Sequence, residues 1–73
     1  MFISVKDLCA ILDNEIGYVK DAKLNHSHVT EDEYQTYLAN METKMNARIA
    51  RLRCISSNKG LISKYENTIA GLF

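Results

Sequence analysis

Seventy-three residues with no net charge, 47% apolar and 25% charged, make one domain near the lower size limit for a self-sufficient core. The apolar share excludes intrinsic disorder, the charged share argues against a membrane protein, and no apolar run approaches the ~20 residues that span a bilayer. Proline is absent and only Gly17, Gly60 and Gly71 punctuate the chain, too little for a strand-and-turn fold, so an all-α protein is predicted.

The start, MFISVKDLCAIL, has Lys6 and Asp7 inside its apolar run and no small-residue cleavage site. It reads as the start of a helix, not as a signal peptide. Ser4 is a good N-cap, Asp7 stands at N3, and Ile3 can staple to Leu8, which predicts helix 1 over residues 5–24. At about 100° per residue, Val5, Leu8, Cys9, Ile11, Leu12, Ile16, Tyr18, Val19 and Ala22 cover roughly half its circumference. That is more than one neighbouring helix covers, so helix 1 is expected to touch two.

Residues 25–29 form a polar connection of ordinary helix–helix length. Thr30 and Glu33 then make a capping box, with Val29 placed to staple to Tyr34, and open a helix predicted over residues 31–56. Glu31, Asp32 and Glu33 suit the positive end of its dipole, and Arg48, Arg51 and Arg53 the negative end. Its stripe of Tyr34, Leu38, Met41, Met45, Ile49, Leu52 and Ile55, with Tyr37 at the margin, has the spacing of an antiparallel hairpin seam. Residues 56–60, SSNKG, break the helix, with Gly60 placed as its C′ residue. A short third helix over residues 61–71 carries Leu61, Ile62, Tyr65, Ile69, Leu72 and Phe73 on one face and can fold back on helix 1.

In a tight hairpin Leu24 is level with Glu31 and Cys9 with Asn46, which sets Cys54 about 12 Å further along. That exceeds the reach of a disulfide. Two buried thiols in a reducing, cytoplasmic compartment are expected. The same register puts Glu15 level with Asn40, about 12 Å from Arg48, so the two can meet only if the helices slide or another chain supplies the partner. Both residues break the apolar pattern of their helices. Either they sit at the seam edge with their heads in water, or they mark a protein–protein interface where a polar residue sets register or partner choice.

The motifs of catalysis are missing. His26 and His28 could offer two metal ligands, but a site needs two more and neither cysteine is near that end. No phosphate loop, CxxC pair or HExxH helix is present, and the bundle is too small to combine a ligand-sized pocket with a core. Neither an enzyme nor a cofactor is expected. A helix-turn-helix within residues 4–23, turning at Asp13-Asn14, fails because the apolar period runs on from Leu12 to Ile16 and Val19.

Charge is segregated along the chain. Residues 1–42 hold three basic and eight acidic side chains, and residues 43–73 six basic and one acidic. The basic half can lie against the acidic first helix or face phosphates. Overall neutrality and the lack of Trp favour the former.

The expected fold is thus an antiparallel hairpin of two long helices plus a short C-terminal third, a small three-helix bundle with a homodimer possible. In size and hairpin design it is similar to small secretion-system chaperones, small phage or plasmid accessory proteins and dimeric RNA-binding hairpins, a likeness that carries no function by itself. The expected function is protein–protein interaction, as an adaptor, chaperone or inhibitor, with another protein or a second copy as partner and no membrane or small-molecule substrate. Ile11, Glu15, Tyr18, Met41, Met45, Arg48, Ile69, Leu72 and Phe73 are the candidate interface. The alternative is a small nucleic-acid-binding protein using Lys44, Arg48, Arg51, Arg53 and Lys59.

Overall fold

The computed structural model describes residues 3–73. These residues form three α-helices, α1 (Val5–Leu24), α2 (Glu31–Ile55) and α3 (Lys59–Leu72), and no strand occurs among them. All three helices pack on one another, so α1 has the two neighbours its broad apolar face requires.

Each helix starts where a side chain satisfies an orphan backbone donor. Ser4 Oγ accepts from the Asp7 N–H at 3.1 Å. At Thr30 the capping box is complete, because the Thr30 hydroxyl accepts from the Glu33 N–H while Glu33 Oε1 accepts from the Thr30 N–H, each at 3.1 Å. The third start departs from expectation. Asn58 caps it, accepting from the Leu61 N–H at 3.1 Å, so α3 begins at Lys59 and Gly60 lies in its first turn. Gly60 is therefore not the C′ residue of α2: that helix ends at Ser56, whose extended backbone still donates its N–H to the Leu52 carbonyl.

The core draws Leu8, Leu12, Ile16 and Val19 from α1, Met45, Ile49 and Leu52 from α2, and Tyr65, Ile69 and Leu72 from α3. Spacings of three and four keep each set on one helical face. Burying each Leu, Ile or Met side chain contributes about 1.5–3 kcal/mol before chain entropy is subtracted. Tyr65 also joins α3 to α1, since its ring is buried and its hydroxyl donates to Asp13 Oδ1 at 2.8 Å. Burial and that carboxylate push the phenol above its usual pKa of 10.0.

The alignment of α1 with α2 corrects the expected register. Glu15 Oε1 stands 3.3 Å from Arg48 Nε, and Lys23 shares a surface hollow with Leu38 and Ala39. The six-residue connection is no tight turn. It climbs past the end of α1, so the first two turns of α2 overshoot that helix, and His26 of the connection stacks on Tyr34 with ring centroids 3.7 Å apart. The shift also removes the axial separation expected between Cys9 and Cys54. Both thiols are nevertheless free, and the expectation that both are buried fails: Cys9 is half-buried, and Cys54, on the far side of α2 from Leu52, is exposed.

Candidate functional site

The two residues that break the apolar pattern meet within one chain. Glu15 is almost enclosed, at 10% side-chain exposure, while the Arg48 side chain keeps 39% of its surface in water. The carboxylate thus sits in the apolar face of α1 and is matched by a guanidinium that snorkels from α2. Of the two ways in which the pair can meet, a slide of the helices or a partner from another chain, the contact within one chain is the former.

The expected interface residues divide by burial. Glu15, Met45, Ile69 and Leu72 are buried, Ile11, Met41 and Arg48 are half-buried, and Tyr18 and Phe73 are exposed. Most of that candidate surface therefore serves the inside of the chain. Tyr18, assigned to the apolar face, is 61% exposed. The tail is docked, not loose: Tyr65 bonds to Asp13, and the Lys23 ammonium donates to the Leu72 carbonyl.

The basic residues divide too. Arg48 pairs with Glu15, and Arg53 Nη2 pairs with Glu66 Oε2 at 2.7 Å. Lys44, Arg51 and Lys59 are exposed and make no ion pair among the described residues. The basic half of α2 is thus turned partly onto acids of α1 and α3.

What remains open lies at the end where α1 meets α2. Because α3 stops level with Lys23 and Leu38, no third helix covers the residues beyond. There Leu24 is 86% exposed, Val29 is exposed, and Tyr34 and Tyr37 are half-buried. With Asp21 and Glu33 they line an open groove of about 580 Å³. Its size departs from the expectation that so small a bundle holds no ligand-sized space. The reason is its position, on the surface beside the core. No known family, characterised protein or solved structure matches the chain.

One wall of the groove is fixed by a residue whose role the sequence reading missed. His26 Nδ1 donates to the Ala22 carbonyl at 2.9 Å, which satisfies one of the free carbonyls at the end of α1 and defines the tautomer. The ring then lies 8° from the plane of Tyr34. A histidine four residues after a carbonyl at the end of a helix is the available signal. Next to Tyr34 in α2, the hydrogen bonds from Thr30 hold the Glu33 carboxyl below its ordinary pKa. No group of three or more His, Cys, Asp or Glu side chains that could hold a metal occurs among the described residues. None of the described helices is long and apolar enough to cross a membrane.

Proposed function

We propose that the chain is a non-enzymatic protein–protein interaction module, an adaptor, chaperone or inhibitor, that docks a partner protein at the groove between the α1–α2 connection and the start of α2. In this reading the first two helices are an antiparallel hairpin braced by the third, and the module works in the cytoplasm, where Cys9 and Cys54 stay reduced. The observation that carries it is the gathering of Leu24, Val29, Tyr34 and Tyr37 at the one end α3 does not reach. Contiguous apolar surface rimmed by polar groups is the mark of an interaction site. Leu8, Leu12, Ile16 and Val19 of α1 and Ile69 and Leu72 of the tail belong to the core and are not part of this surface.

The test is capture from an extract of the native host by the wild-type chain and by Leu24→Glu, Tyr37→Glu and Phe73→Glu variants of matched helicity. A specific partner should be lost with the first two and kept with the third. A partner retained by both groove variants would refute the assignment. A second reading, nucleic-acid binding, draws on the exposed cations Lys44, Arg51 and Lys59. It requires binding that weakens steeply with salt and falls when Lys44 and Arg51 become alanine. Binding of this kind unchanged by salt would remove it.

A further inference from the structure

We infer that the groove receives a positively charged side chain of the partner, an arginine or lysine flanked by apolar residues, an inference that rests on reading the groove as a docking surface. Two carboxylates, Asp21 and Glu33, stand in its wall and no lysine or arginine does. Glu33 is held in place, since Oε1 accepts from the Thr30 N–H, while Oε2 makes no hydrogen bond among the described residues. Like any exposed glutamate it is ionised at neutral pH, and the Thr30 hydrogen bonds lower its pKa further. Glu31 and Asp32, exposed in the same helical turn, add to the negative field. The basic groups of the wall are the imidazoles of His26 and His28, of which His28 contributes the smallest of the effects that lower the Glu33 pKa, and on α1 the Lys23 ammonium is bonded to the Leu72 carbonyl.

The apolar part of the groove suits such a side chain as well. Arginine and lysine carry an aliphatic stem below a charged head, and Leu24 and Val29 offer surface to the stem. Tyr34 and Tyr37 present aromatic rings, whose faces attract a cation. Tyr34 is backed on one side by the His26 ring, so it is stiffened without being covered by a helix. An apolar segment without charge would leave the carboxylates half-desolvated and unpaired, which opposes its binding.

The experiment is a titration of the ¹⁵N-labelled full chain, followed by amide shifts, with two capped peptides of sequence Leu-Arg-Leu-Leu-Arg-Leu. One carries arginine, and the other carries neutral citrulline in its place. The arginine peptide should shift the amides of Leu24, Val29, Glu33 and Tyr37 saturably and bind about tenfold more tightly than the citrulline form. The Asp21→Asn/Glu33→Gln variant should lose that preference, with helix content kept because glutamine also completes a capping box. Equal binding of the two peptides would overturn the charge inference and leave docking intact. If neither moves these amides, both readings fall. If the amides move on raising the protein concentration alone, the occupant is a second copy and the inference is overturned.

Discussion

Removing Arg48 should harm the fold more than removing Glu15, although the two form one ion pair. At 3.3 Å two unit charges attract by about 5 kcal/mol in a medium of effective dielectric ~20. The 39% exposure of Arg48 lets water screen the pair, which brings the attraction left to offset the burial of Glu15 down to about 1–2 kcal/mol. Arg48→Met strands the Glu15 carboxylate in the apolar face of α1 beside Leu12, Ile16 and Val19, so that loss should be felt in full. In urea unfolding followed by far-UV circular dichroism it amounts to a midpoint lower by roughly 1–2 M, given the slope typical of a small domain. Glu15→Leu instead places a similar volume of apolar surface in an apolar site and leaves Arg48 free to turn its head into water. Its midpoint should change by less than about 0.5 M in either direction. The Glu15→Leu/Arg48→Met double variant should recover most of what Arg48→Met alone loses. A Glu15→Leu protein as destabilised as Arg48→Met would refute the reasoning, because it would show the pair to be a net source of stability and not a burial cost that is offset.

Leu12 is fully buried in the core, so Leu12→Ala should cost about 2–5 kcal/mol, enough in a chain this small to lose most helical signal at 25 °C; a retained two-state transition near the wild-type midpoint would contradict that core. Tyr65→Phe removes the bond to Asp13 and should cost about 0.5–1.5 kcal/mol at neutral pH. Because folding raises the Tyr65 pKa, the wild type holds this stability below pH 10 and loses it as the pH rises above that value, where the unfolded phenol ionises. Urea midpoints at pH 8 and 10.5 should therefore converge between wild type and variant. Thr30→Ala breaks the capping box and should lower stability by about 1 kcal/mol in the same assay. Glu33 has a pKa depressed on folding, so its share is present above 4.5 and disappears as the pH falls through the lowered value; a Thr30→Ala defect that is the same at pH 3 as at pH 7 would argue against the box.

The three helices were legible because their starts are local chemistry. Ser4 and Thr30 act on donors three residues away, and their sequence signals need no knowledge of the rest of the fold. The period of Leu8, Leu12, Ile16 and Val19 gave the core face of α1 for the same reason. Asn58 was missed because Gly60, two residues on, also ends helices, and a glycine in a first turn looks the same in sequence as one past a last turn. The register was not legible at all. It depends on whether residues 25–30 turn tightly or climb, which the His26 contacts with Ala22 and Tyr34 decide, and no periodicity encodes those. The misjudged separations of Glu15 from Arg48 and of Cys9 from Cys54 descend from that one offset, whereas the exposure of Cys54 follows from its helical phase, opposite Leu52. The groove was hidden likewise, since it exists only because α2 overshoots α1 and α3 stops short.

That shortfall grades the molecule along its length. Amide protons near Ile49 and Leu52 should exchange with deuterium only when the whole chain unfolds, whereas those of the first two turns of α2 should exchange through smaller openings at that end alone. Whatever settles against Tyr37 would slow exchange in those turns, and part of its attraction would be spent on quieting them, so affinity there is tied to how firmly Thr30 and His26 clamp the bare end.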